Sequence, residues 1–330
     1  MGEEKTYERP IFLDSQRIIK HKLPFQSLSL ILDMKTIPIE VEKNLKLIIR
    51  IIEIELAFRQ KDLDKTINPV SVKSLVEISG MSERSLRDWF KEYKGISISE
   101  YIKKRQIEYG ARIFRLFPNA TKKEVADILG LSSSQSLYPF MKRGGIMDMD
   151  ELRGKPMSTD LIHLSFRLEK LSESLMFYNL EETNYEICAV PEYEASHWDK
   201  IEEFVKSNFP MATKVGDVGF AIDRYVENKI DEGIFISGIL YRNLDEPKSS
   251  RGLRDDISWR KIPSGRYAVF THKGMYDSLS SFYQSVLYAL SRQDRYLIEK
   301  SLLIMEKYVN SPVDTPTEEL ITEIWVPIVS

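Results

Sequence analysis

The sequence predicts a multidomain protein in which an all-α double helix-turn-helix part precedes an α+β part with a mostly antiparallel sheet. Apolar residues recur at helical spacing up to about residue 143, a helix–glycine–helix pattern occurs twice within that stretch, and β-rich segments dominate beyond residue 158. A chain of 330 residues also exceeds one core of ordinary size. We therefore predict an unassigned extension over residues 1–43, a helical domain over residues 44–155 and an α+β domain over residues 158–330.

The predicted helical domain begins with an amphipathic helix from Asn44, whose apolar residues have i, i+3, i+4 spacing: Leu45, Ile48, Ile49, Ile52 and Leu56. Two units follow, each consisting of a short helix, a glycine turn and a second helix. Gly80 and Gly130 mark the two turns. In the first unit, Ser82 is predicted to cap the second helix and Gly95 to end it. A longer helix over about residues 99–117 connects the units.

The C-terminal half contains apolar segments of the length and composition of strands. They cover residues 162–169, 185–190, 218–226, 233–241, 266–272 and 323–329. Helical stretches over about residues 198–207 and 276–292 interrupt them. Strands followed by a helix, twice over, are typical of an α+β domain with a mostly antiparallel sheet.

Charge is distributed unevenly along the chain. Residues 71–157 carry a net charge of +5 and residues 158–330 carry −9, although the whole chain carries only −3. A basic segment can approach a polyanion such as DNA, and a solvated helical surface explains the same charge equally well. Charge alone therefore leaves both interpretations open.

The second helix of the first unit has the two faces that a recognition helix needs. Leu86 and Phe90 are predicted to face inward, and Arg84 and Arg87 outward. An arginine in the major groove can donate two hydrogen bonds to guanine, the commonest sequence-specific contact. Contacts to phosphates are then expected from the neighbouring cationic residues Lys91, Lys94, Lys103, Lys104 and Arg105.

Residues 72–143 resemble the DNA-binding domain of the AraC/XylS family. The resemblance rests on Leu75-Val76, Gly80-Met81-Ser82, Leu86, Phe90-Lys91, Gly95, Tyr101-Ile102, Arg105, Ala111, Val125-Ala126, Gly130-Leu131, Gln135, Leu137 and Lys142-Arg143. It implies that bases are read by Arg84, Ser85 and Arg87 in the first unit, and by Ser134, Gln135 and Tyr138 in the second.

Two residues depart from this family's pattern. Asp88 stands where arginine is common, and Pro139 lies inside the second recognition helix, which we expect it to kink or shorten. The first unit is therefore expected to dominate sequence reading.

The C-terminal half resembles the GyrI-like effector-binding fold, most firmly over residues 262–274, 305–308 and 323–328. The same combination with an AraC-type domain occurs in Rob-like regulators. The resemblance implies two pseudo-repeats that frame an aromatic cleft with a glutamate able to hold a cationic or polar ligand. Glu306 matches that position best, and Glu323 is the second candidate. The candidate lining residues are Trp198, Tyr225, Tyr267, Phe282, Tyr288 and Trp325, although packing in the core is the favoured explanation for any single aromatic residue.

Other classes of function find little support in the sequence. The four histidines are scattered, and no HExxH, CxxC, Walker or GxSxG pattern occurs, so we expect neither a metal site nor a cofactor. The single cysteine, Cys188, cannot form an internal disulfide, and no apolar stretch has the length of a membrane span. We expect a cytoplasmic, non-enzymatic protein.

The sequence thus favours a transcription regulator with three kinds of partner: double-stranded DNA, a lipophilic or cationic small molecule, and RNA polymerase. Two alternatives stay open. One is a hydrolase that uses Glu306, because some GyrI-like domains resemble hydrolases. The other is a ligand-binding or protein-binding module with a degenerate helix-turn-helix pair, which Asp88 and Pro139 suggest.

Overall fold

The computed structural model describes residues 37–57, 70–153, 164–185, 188, 191–224, 229–247, 256–291, 296–300 and 303–329. Residues from Ile39 to Ser330 form one compact unit. Most of the predicted N-terminal extension and the predicted boundary near Pro156 lie outside the described residues. The first helix begins at Ile39, five residues before the predicted start.

Six helices make up the described part of the helical region. They are α1 (Ile39–Ala57), α2 (Val72–Ser79), α3 (Glu83–Lys94), α4 (Ile98–Leu116), α5 (Lys122–Leu129) and α6 (Ser134–Lys142). Two short pairs, α2 with α3 and α5 with α6, therefore stand on either side of the long helix α4, in the order that the sequence predicts. Pro139 does not end α6, which runs through it and is nine residues long.

The helix ends follow the predicted capping residues. The Ser82 hydroxyl accepts a hydrogen bond from the Ser85 backbone N–H at 3.1 Å, which satisfies a donor that the first turn of α3 leaves unpaired. Gly80, Gly95 and Gly130 have φ of 65°, 72° and 70°, a conformation in which any side chain would be strained. These glycines therefore stop α2, α3 and α5.

Helix α1 is surrounded on all sides in its second half. Every residue from Arg50 to Ala57 is buried, including the carboxylate of Glu53. Glu53 Oε1 accepts hydrogen bonds from Arg105 Nε at 2.8 Å and from the Tyr101 hydroxyl at 2.9 Å, both on α4. A buried charge needs such partners, because an unpaired one is strongly destabilising.

In the described part of the C-terminal region, nine strands form one fully antiparallel sheet that is accompanied by two α-helices, α7 (Pro191–Asn208) and α8 (Leu279–Ser291). Its strands are β1 (Arg167–Leu171), β2 (Ser174–Asn184), β3 (Thr213–Arg224), β4 (Lys229–Arg242), β5 (Ser258–Ile262), β6 (Gly265–Lys273), β7 (Leu297–Ile298), β8 (Met305–Tyr308) and β9 (Ile321–Val329). The main path through the sheet is β1-β6-β9-β8-β3-β4-β2-β5, and β7 pairs with β9. The sequence pattern missed β2, β5, β7 and β8. It also predicted a strand over residues 185–190, where the described residues Tyr185 and Cys188 are not in a strand.

The strand order has an internal pseudo-symmetry. One half is the run β2-α7-β3-β4 and the other is the run β6-α8-β8-β9, and the halves meet where β3 pairs with β8. Both helices pack on the same face of the sheet, α7 on Phe177 and Ile239, and α8 on Ala268 and Ile324. The two predicted pseudo-repeats are therefore present.

The opposite face of the sheet packs against the helical region. Val218 and Phe220 of β3 belong to the same core as α1 and α4, because alternate residues of a strand point to opposite faces. Polar contacts cross this boundary as well. Arg50 Nε donates to Ser258 Oγ at 3.1 Å, and Arg260 Nη1 lies 2.8 Å from Glu55 Oε1.

The buried pair of Glu53 and Arg105 predicts that loss of Glu53 strongly destabilises the fold. Glu53→Ala leaves Arg105 charged and buried, so the free energy of unfolding in urea should fall by about 3–5 kcal/mol. Glu83→Ala removes an exposed partner of Arg87 and should change that free energy by less than about 1 kcal/mol. Equal effects of the two substitutions would contradict the role assigned to Glu53.

Candidate functional site

The candidate effector site lies at the centre of the sheet, where its two halves join. In the register of β3 and β8, Gly219 lies opposite Glu306 and Asp217 lies opposite Tyr308. Glu306 is also in register with Ile324, which packs against α8, so Glu306 points to the face that carries α7 and α8. The Glu306 side chain is buried, with 6% of the residue exposed.

Two tyrosine hydroxyls hold the Glu306 carboxylate. The Tyr283 hydroxyl, from α8, donates to Oε1 at 2.9 Å, and the Tyr308 hydroxyl, from β8 itself, donates to Oε2 at 2.8 Å. Burial and the neighbouring carboxylate raise the pKa of Tyr308 well above its usual value, so this hydroxyl remains a donor at neutral pH. Hydrogen bonds to a charged acceptor are stronger than those between neutral groups, so these two bonds fix the carboxylate.

Aromatic rings form the walls of this site. The Trp198 ring, from α7, meets the Tyr308 ring edge-on with centroids 5.5 Å apart, and Tyr276 meets Tyr308 from another side at 6.0 Å. Trp198 Nε1 donates to the Gly238 carbonyl at 3.1 Å, which fixes the orientation of the indole. A carboxylate enclosed by ring faces and edges suits a ligand that is both aromatic and positively charged.

The structure places two of the predicted site residues, Glu306 and Trp198, in contact with Tyr308, and it places other candidates elsewhere. Phe282 lies on α8 with its ring 5.0 Å from that of His272, and Tyr288 is half-buried further along the same helix. Tyr225 lies outside the described residues.

Glu323, Tyr267 and Trp325 lie on the opposite face of the sheet from Glu306, so the expectation that they share its site is wrong. Glu323 and Trp325 flank Ile324 on β9, and strand alternation sends them away from α8. Glu323 is engaged there by Arg167 Nη2 at 2.6 Å and by Trp325 Nε1 at 2.9 Å. The Tyr267 and Trp325 rings pack together with centroids 5.6 Å apart.

The sequence analysis missed Tyr276, Tyr283 and Tyr308. A signal existed for Tyr308 alone, because it follows Glu306 by two residues on a strand and so must share its face. The approach of α8, which brings Tyr283 to the carboxylate, is a tertiary contact that no local pattern reveals.

The candidate nucleic-acid interface is built on α3, α4 and α6. The predicted base-reading or phosphate-binding residues that are exposed are Arg84, Arg87, Lys91, Lys103, Lys104, Gln135 and Tyr138, whereas Ser85 and Ser134 are half-buried. Leu86 and Phe90 are fully buried beneath the exposed face of α3, as predicted. This helix therefore presents Arg84, Arg87 and Lys91 to solvent from a fixed position.

Neighbouring carboxylates engage the cations of α3. Arg87 Nη2 lies 2.8 Å from Glu83 Oε1, and Arg84 Nε lies 3.8 Å from Asp88 Oδ2. Lys94 Nζ lies 3.4 Å from Glu182 Oε2 on β2. These are exposed or partly exposed pairs worth little net energy, so the arginines can exchange them for other acceptors.

Arg105 is not available for the phosphate contact expected of it. It is 3% exposed and its guanidinium faces Glu53 in the interior. Burial acts to lower the pKa of Arg105, and the Glu53 carboxylate together with Tyr109 and Tyr101 raises it, so that the pKa lies above its usual value. Arg105 was expected at the surface because its partner, Glu53, precedes it by 52 residues. The sequence pattern around Arg105 does not reveal a partner so far away.

Within the described residues, no group of three or more histidine, cysteine, aspartate or glutamate side chains is arranged to hold a metal ion. No helix in the described ranges is long and apolar enough to cross a membrane.

Comparison with protein families matches residues 237–329 to the GyrI-like small molecule binding domain. The match covers the end of β4, the strands β5 to β9 and α8, and it includes Glu306. The predicted GyrI-like character of the C-terminal sheet is therefore confirmed over this range. A comparison with curated proteins gives no match.

Among solved structures, the EcmrR C-terminal domain is 18% identical, covers 51% of this chain and 99% of its own, and has a TM-score of 0.39. The EcmrR–DNA complex in EcmrR-RPo is 16% identical, covers 86% of this chain and 94% of its own, and has a TM-score of 0.38. SAV2435 bound to tetraphenylphosphonium is 19% identical, covers 51% of this chain and 95% of its own, and has a TM-score of 0.32. All three TM-scores are below 0.5, so only the family match over residues 237–329 is used to characterise the C-terminal region.

Proposed function

We propose that this protein is a sequence-specific DNA-binding transcription regulator whose activity is modulated by a small molecule bound at Glu306. The observation that carries this proposal is the buried carboxylate at the centre of a GyrI-like sheet, held by two tyrosines and walled by Trp198. Placing a carboxylate in such a position costs desolvation energy, which a folding role alone does not require.

The chemistry of the site favours an aromatic or lipophilic cation as the effector. A positive charge at Glu306 gains more than it would in water, because the surrounding rings exclude solvent and lower the local dielectric. The tyrosine and tryptophan rings add favourable contacts with both the charge and the apolar parts of such a ligand.

The DNA-binding role rests on the exposed face of α3 and on the AraC/XylS resemblance of residues 72–143. Arg84, Ser85 and Arg87 are assigned to base edges, and Lys91, Lys103 and Lys104 to phosphates. In the second unit, Ser134, Gln135 and Tyr138 are assigned to bases. RNA polymerase is a further partner, because regulators of this kind act at promoters.

The site favours binding over hydrolysis. Both oxygens of Glu306 already accept hydrogen bonds from tyrosines, whereas a general base must accept a proton from water or substrate. Turnover of an ester or amide that is lost in Glu306→Gln would favour the hydrolase alternative instead.

Glu306→Gln should weaken the binding of tetraphenylphosphonium, used as a probe cation, by at least about ten-fold, because the substitution removes the charge that attracts the ligand. Isothermal titration calorimetry measures the change. Glu323→Gln is the matched control, since it removes a carboxylate from the opposite face of the same sheet, and its affinity should equal that of the unmodified protein. Equal loss in both variants would point to net charge rather than to this site.

Arg87→Ala should weaken binding to the protein's own upstream DNA by about 1–3 kcal/mol, because a base-edge contact is lost. A gel-shift titration at fixed salt checks this, with footprinting to locate the sequence. Lys206→Ala removes the same charge from α7, outside the candidate interface, and should leave the affinity unchanged. If Arg87→Ala behaves like Lys206→Ala, Arg87 does not read a base.

A further inference from the structure

A glycine beside the Glu306 carboxylate leaves room in the sheet for a neighbouring side chain. Gly219 is the residue of β3 in register with Glu306, and it carries no side chain. A Cβ built at Gly219 would overlap the Tyr308 hydroxyl and would lie 2.9 Å from Phe235 Cζ and 3.1 Å from Tyr308 Cε2. The space above this glycine is therefore occupied by the end of the Tyr308 side chain.

Above Gly219, Tyr308 makes the contacts that we expect an aromatic ligand to make. Its ring meets Trp198 and Tyr276 edge-on, and its polar end reaches Glu306 Oε2 at 2.8 Å. Tyr308 as a whole residue is partly buried, whereas Glu306 and Trp198 are buried. One side chain, Tyr308, thus contacts both the carboxylate and the indole.

We propose that Tyr308 is a built-in competitor of the effector: its ring occupies the place above Gly219 that an aromatic cation takes, and its hydroxyl must leave Glu306 when the effector binds. This inference rests on the proposed function, and it adds the residue that an effector must displace and that thereby lowers the affinity for the effector. Any effector must supply an aromatic ring for the space above Gly219 and a positive charge that outcompetes a tyrosine hydroxyl at the carboxylate.

Tyr283 plays a different part although it donates to the same carboxylate. It reaches Oε1 from α8, the helix that packs on the neighbouring strands β6 and β9. Tyr308 alone combines a bond to Glu306 with a ring above the glycine. Tyr283 is therefore a positioning residue that holds the carboxylate in both states, and Tyr308 is the group that moves.

The test compares the binding of tetraphenylphosphonium to the full chain and to three variants by calorimetry. Tyr308→Phe removes the competing hydrogen bond and keeps the ring, so affinity should rise by roughly ten-fold, the equivalent of losing one bond to a charged acceptor. Tyr283→Phe, the matched control, removes the other bond to the same carboxylate and should not tighten binding. Gly219→Ala fills the space with a methyl group and should weaken binding by at least about ten-fold, because even small overlaps are poorly tolerated in packed sites.

Each outcome has a distinct meaning. If the unmodified protein binds the cation and Tyr308→Phe binds equally or more weakly, Tyr308 is not a competitor, and the proposed effector site still stands. If Gly219→Ala binds like the unmodified protein, the ligand does not occupy this space and the inference is overturned. Binding to Tyr308→Phe alone would support the inference most directly. Absence of binding to the unmodified protein and to Tyr308→Phe would overturn both the inference and the proposed effector site.

Discussion

Three register pairs between β3 and β8 join the two halves of the sheet, and the candidate effector site exists only because of them. Each half supplies one helix to the same face, so the junction lies in the cleft between α7 and α8. The pairing sets a carboxylate beside a residue without a side chain, Glu306 opposite Gly219. Neither half contains the site alone: β3 and Trp198 come from one, and Glu306, Tyr308 and Tyr283 from the other.

The second constraint is the burial of α1 between the other helices and the sheet. The second half of α1 is buried on every side, which is stable only inside a larger core, and it carries charges as well. Each of these buried charges has a partner in another element: Glu53 in α4, and Arg50 and Glu55 in β5. Burial lowers the pKa of Arg260, the partner of Glu55, to about 10, which leaves its guanidinium charged at neutral pH. These pairs fix the register of α1 against both neighbours, so the helical region and the sheet are packed together rather than tethered.

Local features of this fold were predictable from the sequence, and features set by distant contacts were not. The caps at Ser82 and Gly95 and the inward face of Leu86 and Phe90 depend on neighbours within a few residues, and the structure confirms them. Arg105 is charged and therefore looks exposed, because nothing near it reveals Glu53. Glu323 was the second candidate after Glu306 because both fall in segments that resemble the GyrI-like fold. Only the register of β8 with β9, which places Glu306 opposite Ile324, shows that the two carboxylates face opposite ways.

The same alternation that separates the two carboxylates brings the effector site close to the helical region. Gly219 faces the Glu306 site, while its neighbours on the same strand, Val218 and Phe220, face the core that includes α1 and α4. The distance between the two environments is the thickness of one sheet. A change in packing above Gly219 that shifts β3 must therefore also shift its contacts with α4, because closely packed cores transmit displacement rather than absorb it.

Regulation through this route requires two alternative arrangements at the boundary between the sheet and the helical region. The exposed or partly exposed ion pairs that cross it, Lys94 with Glu182 and Lys300 with Glu124, can exchange at less cost than the buried pair of Glu55 and Arg260. For the regulator proposed above, we therefore expect a path from effector to DNA to run through β3 and these outer pairs, while the buried pairs of α1 stay in place.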